Sequence, residues 1–395
     1  MSFFDRFKKK NKQNVSKPLI STDWFTPFYS QYGNDIYKNI VVQQALNCIV
    51  REVKKLKPQH IIRKENRIIS INDNIQRVLE NPNPLMTTTD FLEKITWQLY
   101  FNYNSFILPI YENGFLVYLY PIQPTQVDFL QDESEQIFVK FIFANANYES
   151  IVKYSDVIHI RYNFSISEFM GGNKVGQPDN DALLQAVDLN NSLLSGVSKA
   201  LKSSFAINGI VKYNTLMDDG KTELAVKQLS ERLINGDSGL LPMDLKGEFV
   251  PFNRQIQMVD SNTLKFVDDQ ILRNFGVPSS FLTGDYTKSQ YESFFQKTIE
   301  PLITSYSQAF NKCLFKNQRE KHEILFNHKE LEFMTTSEKI QWLTLASNVG
   351  AITINEMREI IGYPPYEDEA LGNSPIMSKN YGDATVVKEE VINNE

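Results

Sequence analysis

Cysteine is almost absent from this 395-residue chain, which carries only Cys48 and Cys313. Two thiols so far apart, behind a start with no export signal, are expected to be reduced and packed, not joined in a disulfide framework. Long hydrophobic runs are missing too. No stretch approaches the roughly 18 apolar residues that a helical bilayer span requires, and Met1 to Lys17 is basic and polar, without the apolar centre of a signal peptide. The expectation is a protein with no membrane association that stays in the cytoplasm where it is made.

An excess of positive charge is also lacking. Lys and Arg number 41 against 47 Asp and Glu, a net charge of -6. A tight duplex binder draws on a basic surface that displaces counterions, and this composition argues against one. The charge is unevenly placed: from Glu367 to Glu395 there are seven acids against Lys379 and Lys388, so the tail supplies -5 of the -6.

Motifs of catalysis are scarce. The nearest to a phosphate loop is Gly171-Gly172-Asn173-Lys174-Val175-Gly176, but Gln177-Pro178 stands where Lys-Ser/Thr is required, which leaves a glycine-rich turn. None of the four histidines, His60, His159, His322 and His328, pairs with Cys or Glu at a metal-site spacing. His159 sits in an alternating strand and reads as a packing residue. The acid pairs Asp218-Asp219 and Asp268-Asp269 are weak metal ligands, because sequence neighbours diverge on a helix and bind water in a turn. No Gly-x-Ser-x-Gly elbow or Cys-His nucleophile pair is present. Neither a metal nor a cofactor is expected, and no repeat period suggests a solenoid.

What is present is an ordinary folded composition, 42% hydrophobic and 12% aromatic, at a length suited to about two or three domains. Val42, Ala45, Leu46, Ile49, Val50 and Val53 predict a helix over Val41 to Leu56. A second helix follows Asn81-Pro82-Asn83-Pro84, with Thr89 as its expected N-cap. Ser105 to Tyr111, Gly114 to Tyr120, Gln136 to Ala144 and Val157 to Arg161 read as strands. From Asp179 to Phe205 the spacing predicts one helix of about 40 Å. A compact α/β insertion comes next, with strands near Ile207 to Tyr213 and Glu248 to Phe252, and helical spacing resumes at Leu264 to Leu272. That helix should stop at Phe275-Gly276-Val277-Pro278, where Gly can turn left-handed and Pro blocks continuation. A polar loop, Thr283 to Gln290, is expected to lead into a long helix from Tyr291 that Pro301 kinks. Two closing helices open with capping-box spacings, Thr335 with Glu338 and Thr353 with Glu356. The overall expectation is a helix-rich α+β protein.

Four strings, in this order, resemble the portal proteins of long-tailed phages. Asn81-Pro82-Asn83-Pro84 with Thr89-Asp90-Phe91 is the first, and Asp156-Val157-Ile158-His159-Ile160-Arg161 the second. The clearest is Asn274-Phe275-Gly276-Val277-Pro278-Ser279-Ser280-Phe281-Leu282, continued by Tyr291, Phe294, Phe295, Thr298, Ile299 and Pro301. The last is Thr353-Ile354-Asn355-Glu356-Met357-Arg358-Glu359, followed by Gly362-Tyr363-Pro364-Pro365. Tyr103 departs from the pattern by standing where Gly is usual, and Ser279 where a second Pro is common.

The resemblance implies a portal fold with wing, stem, clip and crown regions, assembled as a ring of about twelve subunits. On this chain it places a flexible arm at 1–23, the wing at 24–178 with 291–334, stem helices at 179–205 and 259–282, and the clip at 206–258. It puts a tunnel loop at 283–290, a crown at 335–366 and a flexible acidic tail at 367–395. Thr283, Asp285, Tyr286, Thr287, Lys288, Ser289 and Gln290 would then face DNA, with Lys288 equally suited to an acid of the neighbouring subunit. Asp218, Asp219 and Gly220 would be a docking turn. The implied partners are the terminase large subunit, a head-tail adaptor, the major capsid and scaffolding proteins, and double-stranded DNA passing non-specifically. The implied location is the capsid vertex of a virion, reached from the host cytoplasm. Two rival readings are a tail or baseplate structural protein and, more remotely, a packaging ATPase or nuclease.

Overall fold

The computed structural model describes residues 20–21, 36–64, 67–143, 148–164, 167–174, 176, 178, 180–205, 209–213, 224, 227, 247–251, 260–316, 322–327, 336–366 and 368–377. The chain divides into two compact units, Met1–Lys54 with Pro82–Leu314, and Lys55–Asn81 with Phe315–Glu395. The expected wing boundaries cut across this division, since residues 55–81 belong with the C-terminal part of the chain.

In the first unit the helices Ile40–Val53 and Thr88–Asn102 lie where apolar spacing placed them. Asn39 caps the first by accepting from the Val41 and Val42 amides. The second is capped by Thr87, not Thr89: Thr87 and Asp90 exchange hydrogen bonds in a capping box, a pairing only that spacing allows. Val42, Ala45, Leu46 and Ile49 from one helix and Leu92, Ile95 and Leu99 from the other are fully buried. Each of these Val, Leu and Ile side chains contributes about 1.5–3 kcal/mol of burial.

Two antiparallel sheets share a second apolar layer. One has Asn104–Glu112 at its centre between Phe115–Ile122 and Ile158–Arg161; the other orders Ile20–Ser21, Gln126–Gln131, Ile137–Phe143 and Tyr148–Lys153. Phe106, Leu108 and Ile122 from the first pack with Val127, Phe129, Val139 and Phe141 from the second. Ile107, on the opposite face by alternation, is buried as well, because the Thr88–Asn102 helix packs on that strand. The strands Gln126–Gln131 and Tyr148–Lys153 add to those expected from sequence. Ile20–Ser21, within the expected flexible arm, is a short strand paired with Leu130 and Gln131.

A buried amide joins these layers. The Asn104 Oδ1 accepts from the Gly171 amide at 2.7 Å, and its Nδ2 donates to the carbonyls of Asn102, Gly171 and Gly176. His159 also reaches Asn104 Oδ1, at 3.0 Å, and Tyr154 through its other ring nitrogen. Burial, with help from Arg161 and Lys312, pushes the His159 pKa well below its usual value, so the ring is neutral. The glycine-rich segment is therefore structural: a Cβ on Gly171 would lie 2.3 Å from the Tyr162 carbonyl oxygen and 2.4 Å from that of Tyr103. Tyr103 itself is left-handed, with φ 55°, the conformation that glycine at this position would adopt freely. Its hydroxyl donates to Asn180 Oδ1 at 2.7 Å, which holds the turn.

The second unit is built on a three-stranded antiparallel sheet, His322–Asn327, Lys57–Lys64 and Arg67–Ser70 in that order, flanked by the helix Asn74–Glu80. Buried His60 lies 3.0 Å from Asp73 Oδ1 on one side and 3.0 Å from His322 Nδ1 on the other. Further along, the helix Thr336–Asn348 precedes a strand pair, Val349–Thr353 with Pro375–Met377, and the helix Ile354–Ile361. Thr353 and Glu356 form the expected capping box, and Gly362 ends that helix at φ 84°. Thr335 and His328 lie outside the described residues. Residues 368–377, expected in a flexible tail, carry the short helix Glu369–Gly372 and that strand Pro375–Met377, so order extends past Tyr366.

Because its neighbours at Gly171 are backbone atoms that cannot swing aside, Gly171→Ala is expected to lower stability by about 3 kcal/mol, as overpacking does. A urea-unfolding midpoint unchanged from wild type would show that the turn relaxes.

Candidate functional site

The helix Asp181–Phe205 is 25 residues long and packs on Ser261–Asn274. Between them in sequence, Gly209–Tyr213 and Gly247–Pro251 pair antiparallel, from Gly209 opposite Pro251 to Tyr213 opposite Gly247. A polar line ties the helices together. Asn39 Nδ2 donates to Asn190 Oδ1 at 3.0 Å, and Asn190 Nδ2 donates to Asp268 Oδ1 at 2.7 Å. Asp268 is thus occupied structurally and is not half of an acid pair awaiting a metal. Among the described residues no group of three or more His, Cys, Asp or Glu could hold a metal ion.

The Ser261–Asn274 helix stops as its sequence predicts. Gly276, at φ 68°, donates to the Arg273 carbonyl, and Val277 donates to that of Leu272. These are the two hydrogen bonds of a Schellman motif, and Val277 and Leu272 are both buried beside it. Gly276 also lets Thr298 approach: the Thr298 hydroxyl donates to the Gly276 carbonyl at 3.1 Å, and a Cβ on Gly276 would sit 2.5 Å from Thr298 Oγ1.

Beyond Pro278, half of the expected polar loop is helical. Ser279–Thr283 is a short helix of its own, separate from the stem helix expected over 259–282, and it includes Thr283. Gly284 turns out of it at φ 77°, Asp285 and Tyr286 cross over, and Thr287 caps a helix that starts at Lys288. The physical reason is a Thr-x-x-Gln capping box: the Gln290 amide donates to the Thr287 hydroxyl and the Gln290 side chain accepts from the Thr287 amide. Lys288, Ser289 and Gln290 thus form a first helical turn. The Lys288 ammonium is 4.0 Å from Glu292 Oε1 one turn on, both side chains more than half exposed, a pairing of a few tenths of a kcal/mol.

Sequence reasoning missed the aromatic packing that fixes this crossover. The Phe281 ring stacks on Tyr286 at 4.4 Å and meets Phe294 at 4.8 Å. Tyr291 adds a hydrogen bond from its hydroxyl to Glu52 Oε2 at 2.9 Å, and burial together with that carboxylate raises its pKa. The signal was the aromatic density itself, read as one helical stripe. Downstream, Pro301 does not break the helix. A π turn over Phe295–Ile299, with Glu300 donating to the Phe295 carbonyl, precedes the α-helix Glu300–Leu314. Where a kink is expected at Pro301, the winding changes from π to α just before it. Asp218, Asp219 and Gly220 lie outside the described residues.

Gly276→Ala is expected to cost about 1–2 kcal/mol from the left-handed backbone alone, plus the collision with Thr298. The loss should be smaller in a Thr298→Ala background, measured as a double-mutant cycle; equal losses would leave the backbone as the sole cause. For Asp268, burial raises the pKa, opposed by the Asn190 bond and aided by Asp269. A carboxyl with a raised folded pKa contributes stability below its unfolded range near pH 4 and loses it as pH rises through the folded value. Asp268→Asn should therefore raise the melting temperature at neutral pH, with a gain that fades towards about pH 3. A lower melting temperature at neutral pH would mean that Asn190 needs a charged acceptor.

Comparison with known proteins places this geometry. Residues 40–362 match the phage portal protein family. The portal protein of Escherichia phage T5 is 24% identical over 324 residues, covering 78% of this chain and 74% of that protein. The probable portal protein of Lactococcus phage p2 is 23% identical over 219 residues, 51% of this chain and 57% of that protein. In fold, the chain is similar to one from the neck of a native gene transfer agent particle computed with C12 symmetry. That likeness has a TM-score of 0.58 at 16% identity, over 86% of this chain and 96% of the other. The chain belongs to the phage portal protein family.

Proposed function

We propose that this chain is the portal subunit of a tailed phage, about twelve copies closing into a ring at one capsid vertex as the conduit for packaging and ejecting DNA. The observation that carries the reading is the helix pair, Asp181–Phe205 with Ser261–Asn274, bracketing an insertion that begins and ends in a paired strand. Such a pair suits a stem, and the insertion at 206–258 suits a clip that docks the terminase large subunit during packaging and a head-tail adaptor afterwards. The crown would comprise 335–366 with the strand that extends it to Met377. Capsid and scaffolding proteins would meet the wing, and assembly would begin in the host cytoplasm and end in the virion.

Under this reading the crossover at 283–290 faces the tunnel. The near-neutral charge of the chain outside its tail suits a conduit, because strong phosphate contacts would stall a moving duplex. Lys288, with Glu292 within reach, presents a screened charge to passing DNA. The role is structural. The segment nearest to a phosphate loop is taken up by Asn104, which favours this over a packaging ATPase.

Electron microscopy with mass photometry of the purified protein tests the reading. Closed rings of about twelve copies with an axial hole wide enough for duplex DNA are expected. A monomer or dimer that persists across salt and concentration would overturn it, and rings without a continuous hole would favour a baseplate component.

A further inference from the structure

A cleft of about 390 Å³ opens in the first unit where the end of the Ser261–Asn274 helix meets the π turn. Its walls include Arg161, Arg273 and Lys297, and no carboxylate. The neutral polar groups there are partly committed: Thr298 bonds to Gly276 and Ser305 to the Pro301 carbonyl. Arg161 is held in place, its guanidinium 3.6 Å from the centroid of the Phe164 ring and one Nη donating to the Phe169 carbonyl at 3.4 Å. A guanidinium has five N–H donors, and that bond uses one.

Arg273 has a local role, since a cation in the last turn offsets the negative end of its helix. Arg161 and Lys297 lie outside that helix and leave the cleft positive. While the mouth is open to water, as the exposure of Arg273 and Lys297 shows it to be, screening makes three like charges cheap. Once a partner covers the mouth, cations without a counter-charge become expensive, and a seated anion converts the cost into attraction. Arginine favours a planar oxyanion it can grip with two N–H groups.

We propose that the cleft receives an acidic side chain from a second copy of this chain, a carboxylate that locks adjacent subunits of the ring. The proposal rests on the ring reading. A second copy can supply the carboxylate: Glu168, Asp181, Asp188 and Glu300 are exposed on the same unit. A DNA phosphate fits less well, since a cleft that captured the backbone would hold the strand it should release.

The test compares wild type with Arg273→Gln/Lys297→Gln, substitutions at exposed positions, after circular dichroism and melting confirm that both fold. Mass photometry across a salt series reads subunit association, and a labelled duplex reads DNA retention. Association at least about tenfold weaker at low salt, with a flatter salt dependence than wild type, is expected for a lost interfacial charge pair. Equal ring stability in the two proteins overturns the proposal, and if duplex retention falls at the same time the cleft is a phosphate site instead. A wild type that forms no rings overturns the ring reading and, with it, the neighbour as occupant.

Discussion

The approach of Gly276 to Thr298 leaves no room for a side chain, and that exclusion fixes how the chain passes from the Ser261–Asn274 helix to the segment ending at Leu314. The left-handed turn satisfies the last carbonyls of one helix, and the Thr298 hydroxyl meets the carbonyl of the same glycine. Everything after it inherits its placement. The short helix, the Phe281–Tyr286 stack and the Tyr291–Glu52 hydrogen bond are each local, yet all depend on the chain leaving Gly276 in one direction.

Buried polar groups then select one arrangement from those that apolar packing would tolerate. The Asn39–Asn190–Asp268 line sets the rotation of the Asp181–Phe205 helix against its two neighbours, because each amide has a donor and an acceptor to place. Asn104 does the same for the sheets and the glycine-rich turn. In the second unit the line from Asp73 through His60 to His322 joins two outer elements through the central strand of a small sheet. Apolar burial supplies most of the driving force, and these few side chains supply the register.

The long amphipathic helices were legible because helical period leaves a repeating trace, and the stop at Gly276 because Gly-Val-Pro has few other uses. The strands Lys57–Lys64 and Arg67–Ser70 were not, since Lys, Arg, Gln and a proline interrupt the Ile pairs and the sheet gets its third strand from His322–Asn327. His60 and His322 are 262 residues apart, beyond any spacing rule. The crossover was misread for a different reason. Thr-Lys-Ser-Gln is polar, which suggests a loop, but the Thr-to-Gln spacing that caps a helix was present and outweighed composition.

The π turn lets one continuous helical segment meet two sets of partners. Before it, Tyr291 and Phe294 pack around Phe281 and reach Glu52; after it, Tyr306 bonds to Thr96 and Phe310 meets Phe91 edge-on. Rewinding Phe295–Ile299 as regular α-helix with no residue removed would turn the later half by about 100° relative to the earlier one. Tyr306 and Phe310 would then face away from their partners. The phase between the crossover and the body of the subunit is therefore set by how this one turn is wound, as well as by the side chains on either side of it.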